Sequence, residues 1–424
     1  MDAVPSTMRT TFTAMPDHHS RIPLHGSIAT TGLGFLASGM IIMAVPWAFL
    51  SGGSGPVLAG LLTAGLHVAL AVGMAGGGYL VDRLGARPVL LATDGISALT
   101  AVAAAAILLA GGSPWLMVTL LALSNLSGSP GSVAQDARIP ELAQLARIPL
   151  ERANALREIA GTIGQLGGPA GGVVLVELVG LGPTLAVAAG LLLVIWVVDL
   201  LTFPSFATPA STLPAPSPLA GVRHLIHDRG LRVLTGLGIL LVSVFHSLDE
   251  VLAPNLALSS GNGGYALAGF LALAALSALG SAASYAAWGS RWNGRTTFLS
   301  GIGCSALGFV LLTVLPGQVG FLLAPIGIGL GIGPLWPIVI TAVQQQTAPE
   351  LRGSVIGALS AVVLLAQPVA ALIAAPCVLW LGPAGLTLAL TCAVVAVAAV
   401  APFLSGLTAL LAQRQTAKLL NQNP

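Results

Sequence analysis

The chain has 424 residues, of which 55% are hydrophobic and only 7% charged, with a formal net charge of +2. A water-soluble domain carries about 25% charged residues, so there is too little polar side chain here to cover a surface facing water. The few basic residues are spread thinly along the chain, which excludes a nucleic-acid-binding patch.

Residues 1–25 hold charges, prolines and histidines but no apolar core, so no cleaved signal peptide is expected. Twelve apolar runs follow. Spans are predicted at 28–50, 57–81, 89–110, 115–134, 155–178, 184–203, 233–255, 265–287, 297–315, 319–342, 355–379 and 385–406. Most have about 20 residues, the length a helix needs to cross ~30 Å of hydrocarbon. They are continuously apolar rather than alternating, which excludes β-barrel strands. The expected fold class is an all-α polytopic membrane protein with twelve transmembrane helices in two six-helix bundles. Cys304, Cys377 and Cys392 stand singly inside apolar runs, where they suggest buried small hydrophobes rather than a disulfide framework or a metal site.

The basic residues test the count of twelve, because Lys and Arg favour the cytoplasmic ends of spans. Arg9 and Arg21 precede the first span, and Arg83 and Arg87 follow the second. Arg138, Arg147, Arg152 and Arg157 fall between the fourth and fifth, and Arg223, Arg229 and Arg232 between the sixth and seventh. Arg291 and Arg295 lie between the eighth and ninth, Arg352 follows the tenth, and Arg414 and Lys418 follow the last. All 16 basic residues therefore share one side. Adding or removing one span would scatter them over both faces. Both termini are expected in the cytoplasm.

The connection 204–231 is the longest such segment within the chain and contains Pro209-Ala-Ser-Thr-Leu-Pro-Ala-Pro-Ser-Pro218, a composition that favours an extended linker. After it, 224–232 has the pattern of a short surface helix. The expected organisation is a cytoplasmic tail over 1–25, a first bundle over 26–203, the linker 204–231, a second bundle over 232–406 and a tail over 407–424. Two marks recur in the same order in both halves. Asp82-Arg83-Leu-Gly85-Ala-Arg87 after span two is echoed by Ser290-Arg291-Trp-Asn-Gly294-Arg295 after span eight. Pro140-Glu141-Leu142 after span four is echoed by Pro349-Glu350-Leu351 after span ten. Parallel six-span repeats belong to transporters whose site lies between the halves near mid-membrane.

Ionisable side chains at membrane depth cost about 2.5–3.5 kcal/mol on insertion scales, so each is a functional candidate. His246, Asp249 and Glu250 in span seven are spaced to share one helix face. They suit proton loading or capture of a cation, unless they stand in water at the rim. Asp94 enters span three from the cytoplasmic side and belongs either with the turn after span two or with the substrate path. His67, midway along span two, is either a proton relay or a neutral ring held by a carbonyl. Asn125, Gln165 and Gln367 at mid-depth either line a cavity or tie helices together. Glu158, Glu177 and Asp199 lie near span ends and read as interfacial. In span five, Gly161, Gly164, Gly168 and Gly172 make a smooth face for close helix packing, read also as a seam between the halves, and Pro169 can bend that helix. Glycines 327, 329, 331 and 333 alternate, which predicts a bendable tenth span used in gating. Trp336 beside them faces either a cavity or its surroundings. Neither a phosphate-binding loop nor a nucleophile–His–acid grouping stands out. The chain reads as no enzyme and calls for no cofactor.

The string Gly78-x-x-x-Asp82-Arg83-x-Gly85-x-Arg87-Pro88 resembles the signature between spans two and three of the major facilitator superfamily. Pro140-Glu141-Leu142, Glu151-Arg152-Ala-Asn-Ala-Leu156, Gly168-Pro169-Ala-Gly171-Gly172 and Ala92-Thr93-Asp94 resemble the branch of enterobactin exporters and macrolide efflux pumps. The resemblance implies that Asp82 meets the start of span eleven, and that Arg87 reaches an acid near the end of span four, either Asp136 or Glu141. Such ties, with Gly78, Arg83 and Gly85 shaping the turn, would shut the cytoplasmic side and break on opening. The Gly-Pro motif of span five implies export. Departures are present too. Ser124 and Asn125 stand where many proton-coupled relatives have an arginine, and span one has no ionisable side chain. The reading is a monomeric secondary exporter in a bacterial inner membrane, moving a small drug-like or siderophore-like molecule in exchange for protons. An importer of the same fold, or a receptor or scaffold without transport, are the alternatives.

Overall fold

The computed structural model describes residues 21–205, 218–259, 263–289, 291–315, 317–347 and 352–404. The first half consists of α1 (Ile22–Ser51), α2 (Pro56–Leu84), α3 (Ala86–Leu109), α4 (Pro114–Ala146), α5 (Leu150–Val179) and α6 (Leu181–Thr202). A short helix, α7 (Pro218–His227), precedes the second half. Its first pass is built from α8 (Arg229–His246), a π-helical turn at Ser247–Leu252 and α9 (Ala253–Ser259). The next passes are α10 (Gly263–Trp288), α11 (Gly294–Val314), and α12 (Gly317–Ile332) continued by α13 (Leu335–Gln346). The last element, α14 (Arg352–Val400), contains two passes that meet at Gly382, whose φ of 72° is not helical.

Ten helices among the described residues are long and apolar enough to cross a membrane. Helix α4 is too polar to be among them and α14 counts once, so the chain crosses twelve times, as the sequence predicts. Leu201, Trp380 and Phe403 are 77%, 79% and 84% exposed. Side chains of that kind are at home on a surface that hydrocarbon covers.

Several boundaries differ from expectation, and α1 and α5 begin at Ile22 and Leu150 rather than at 28 and 155. Helix α4 continues to Ala146 rather than ending at 134, because Ile139, Leu142, Ala143 and Ala146 recur at helical spacing and are buried. The surface helix expected over 224–232 comes earlier, as α7, and ends at His227. The Asp228 carboxylate accepts the Leu231 N–H at 2.7 Å and caps the start of α8.

Glycine sets the helix seams. A Cβ at Gly164 of α5 would collide with the Gly32 carbonyl of α1, and one at Gly168 would lie 2.6 Å from the Leu36 carbonyl. Gly172 faces Met40, Gly161 faces the Phe35 ring, and Pro169 packs on Gly39. The glycine face of α5 thus meets α1 of its own half, not the second half. In α12 the alternating glycines serve two neighbours. Gly327 and Gly331 lie against α11, while Gly329 and Gly333 lie against α10. The helix stops at Gly333-Pro334 before α13 begins.

The end of the bundle where α1 begins is termed the start face, and the opposite end the far face. The largest apolar core draws on both halves, and the buried residues it takes from the first half are Met43, Trp47, Ala64 and Val173. All four lie in the far-face portions of α1, α2 and α5. Toward the start face, a separate core of Leu24, Val81, Leu90, Ile139, Leu142 and Phe203 belongs to the first half alone. Gly60 of α2 lies against Ala371 and Ala375 of α14, and Gly264 of α10 against Glu177 of α5, again toward the far face.

The α1–α5 seam yields a stability prediction. Gly164→Val should destabilise the protein by about 1–3 kcal/mol through overpacking. Gly171→Ala, where a Cβ meets nothing within 4 Å, should stay within about 0.5 kcal/mol of the parent. Denaturant unfolding of the purified protein in detergent measures both.

Candidate functional site

Pro254 determines the backbone of the seventh pass. It has no N–H to offer the carbonyl four residues back, and its ring crowds that position. The helix accommodates it by widening into the π turn at Ser247–Leu252, and the Asn255 side chain donates to the Val251 carbonyl at 2.7 Å. Such turns recur at functional sites. This one carries Asp249 and Glu250 and follows directly on His246.

The turn aims Glu250 at the first half. Glu250 Oε1 lies 3.3 Å from His67 Nε2 on α2 and 3.1 Å from His246 Nδ1 on its own pass. The Glu250 side chain is 8% exposed and that of His67 5%, so this is a buried contact between the halves, not a rim in water. His67 Nδ1 lies 3.0 Å from the Thr63 carbonyl, one turn back on α2. The two imidazole rings meet edge to face at 6.2 Å. Asp249 is half-buried beside them, close enough for its charge to act on His246. The sequence placed His246, Asp249 and Glu250 on one face but treated His67 alone; the structure brings all four together.

A second polar cluster ties four helices of the first half. Asp199 of α6, read from the sequence as interfacial, is 0% exposed. Its carboxylate accepts from the Thr30 hydroxyl of α1 at 3.3 Å and from Gln135 Nε2 of α4 at 3.0 Å. Asp94 of α3 meets the Asp199 carboxyl, and its own carboxylate abuts Gly131 of α4, where a Cβ would collide with it. Thr31 donates to Gln135 Oε1 at 3.2 Å. The cluster joins Asp94 to the helix interior of the first half. Thr30, Thr31 and Gln135 went unnoticed in the sequence, being uncharged residues that any helix can carry.

At the start face, Arg87 donates through Nε to the Phe203 carbonyl at 2.9 Å and reaches Ser205 at 3.3 Å. The two acids expected for it have other partners. Asp136 pairs with Arg157 of α5, and Glu141 accepts from Arg138 at 2.8 Å. Arg83 donates to the Tyr79 hydroxyl at 2.9 Å. Gly85 has φ 88° and separates α2 from α3, a backbone that strains any L side chain. A Cβ on Gly78 would meet open space. The Asp82 side chain, expected to meet the start of span eleven, lies outside the described residues. Among the remaining candidates Asn125 is buried, Gln367 half-buried, and Gln165 and Trp336 exposed. At the far face the Trp47 indole donates to Glu177 Oε1 at 3.0 Å.

Two six-helix halves in contact toward one face, with ionisable groups buried where they meet, form the architecture of a membrane transporter. Residues 28–371 match the Major Facilitator Superfamily, and the chain belongs to that family. It is 26% identical to the multidrug efflux pump Tap of Mycolicibacterium fortuitum over 357 residues, covering 82% of this chain and 86% of the pump. It is 25% identical to Tap of Mycobacterium tuberculosis strain H37Rv, covering 80% and 83%. Among solved structures, the nucleoside transporter NupG aligns with a TM-score of 0.70 at 17% identity, covering 90% of this chain and 98% of that one. The D-xylose-proton symporter aligns with a TM-score of 0.65 at 17% identity, covering 90% and 97%.

The buried cluster of the first half supplies its own test. Asp199→Ala removes the acceptor of Gln135 and should cost about 1–3 kcal/mol. Asp199→Asn, which keeps an acceptor, should cost less. Thermal unfolding of the two variants beside the parent checks the order.

Proposed function

We propose that this chain is a secondary active exporter that carries small amphipathic, drug-like molecules out across a bacterial inner membrane in exchange for protons. The observation that carries the direction is the similarity to the Tap efflux pumps, which extends over four-fifths or more of both chains. The likeness to NupG and the xylose symporter concerns the fold alone. Proton coupling is supported by the titratable groups His67, His246, Asp249 and Glu250 gathered at the contact between the halves. The start face is assigned to the cytoplasm, since the basic residues crowd the helix ends there. Both termini then lie inside, and the protein acts as a monomer.

Transport proceeds by rocking of the halves. The two halves touch toward the far face, while the start-face core belongs to the first half alone. This is the arrangement of the inward-open state. Arg83 and Arg87 are then engaged within their own half. In the opposite state the turn Gly78–Arg87, with Asp82, closes the cytoplasmic side, and Asp136 and Glu141 become available to Arg87. The break at Gly333-Pro334 lets the tenth pass bend between states.

Expression in an efflux-deficient bacterium should lower the accumulation of amphipathic drugs severalfold, and a protonophore should restore it. Everted vesicles loaded with acid and a pH probe should release protons when such a drug is added. Accumulation that rises with expression would point to import. No change across a broad panel would leave a receptor or scaffold as the reading.

A further inference from the structure

His67, Glu250 and Thr63 fix the protonation of the contact between the halves. A backbone carbonyl only accepts hydrogen bonds, so His67 Nδ1, 3.0 Å from the Thr63 carbonyl, carries a proton. The other ring nitrogen, Nε2, faces Glu250 Oε1 at 3.3 Å. A neutral imidazole with its proton on Nδ1 presents a lone pair at Nε2, and an ionised carboxylate presents only lone pairs in return. The contact is therefore attractive in two forms. Either His67 is doubly protonated beside a carboxylate, or Glu250 is protonated and donates to a neutral ring. Both contain one proton more than neutral His67 with ionised Glu250.

We infer that the His67–Glu250 contact is a one-proton latch, which holds the far face shut while it keeps its proton and lets the halves part there when the proton leaves.

The partition of Glu250 follows from its neighbours. His246 Nδ1 lies 3.1 Å from the same oxygen and one helical turn away on the same pass. A neutral His246 with its proton on Nδ1 goes on donating to ionised Glu250. The carboxylate keeps its partner within its own half and loses the one across the interface. Glu250 Oε2 is buried and has no hydrogen-bond partner among the described residues, so no second donor takes over. The packed elements add little charge. Asp249 lies on the same turn as Glu250, and its ionised form repels the bare carboxylate. Helix α9 and the far portion of α1 contain no ionisable side chain, and the nearest on α14 is the thiol of Cys377. On α2 only His67 faces the turn, since Tyr79, Asp82 and Arg83 belong to the start-face end. On the same pass His246 and Asp249 are both half-buried, and His246 stands one helical turn nearer the start face than Glu250.

The sign suits exchange. A proton taken up from the far side closes that side, and its release toward the start face prepares the far side to open again. The direction of proton flow rests on the export reading given above; the latch itself does not.

The test measures far-face distance in purified protein without substrate. Spin labels go on Ser54→Cys, in the turn before α2, and Ser259→Cys, at the end of α9, both exposed, after Cys304, Cys377 and Cys392 are changed to Ser. In the parent, a single short distance should dominate at about pH 5.5, and a longer one should grow severalfold toward about pH 8.5. In Glu250→Gln the amide donates to neutral His67 at either pH, so the short distance should persist. In His67→Gln a donor that does not titrate faces Glu250, and the pH response should disappear there too. A parent distance that ignores pH, or a response that survives in either variant, overturns the latch. Because no substrate enters, that failure would leave the export reading standing. Absence of drug efflux with an intact pH response would remove export alone.

Discussion

A polar group inside hydrocarbon must find its partner on another helix, because no water is there to supply one. This constraint governs where the helices of the chain meet. Asp199 gathers Thr30 and Gln135 and touches Asp94, so α1, α3, α4 and α6 are tied through one buried carboxylate. Glu250 does the equivalent between halves, drawing His67 of α2 toward the seventh pass. The first tie lies inside a rigid unit and the second across a joint. That difference in place, more than any difference in chemistry, separates a structural carboxylate from one suited to gating.

Small residues decide which helix pairs can come close. The glycines of α5 and α1 interlock within the first half, and packing of this kind resists sliding. The alternating glycines of α12 hold that helix between α10 and α11. Each half is thereby a compact body, and motion is left to the surface between them. There the far-face contacts combine apolar residues such as Trp47 and Ala64 with the imidazole–carboxylate contact. Apolar contact favours closure to the same extent at any pH. Only the polar contact can report a proton.

The fold was legible because its signals are one-dimensional. Apolar runs of bilayer length and basic residues on every second connection need no knowledge of contacts, and both survive in the structure. The turn after α2 was equally legible, as Gly85 adopts a backbone that few other residues accept. The start of α5 and the end of α4 were less so, since Ile139, Leu142, Ala143 and Ala146 continue the helix as an amphipathic stripe beyond the apolar run. The candidate site was half legible. Spacing put His246, Asp249 and Glu250 on one face, but nothing in the sequence links residue 67 to residue 250. Asp199 was misplaced because its position at the end of an apolar run suggests water, whereas three neighbouring helices enclose it. The partner of Arg87 was not legible either, because the Phe203 carbonyl is a backbone acceptor that leaves no mark in the side-chain pattern.

Alternating access requires the far-face contact to part in every cycle, and a covalent tie there tests this most directly. A Cβ built on Gly264 of α10 lies 2.5 Å from Glu177 Cγ of α5, which puts the two Cβ positions within the reach of a disulfide. In protein lacking the native cysteines, Glu177→Cys with Gly264→Cys should stop drug-driven proton release from vesicles when oxidised, and regain it on reduction. Undiminished transport with the pair fully oxidised would contradict the rocking of two halves about this joint.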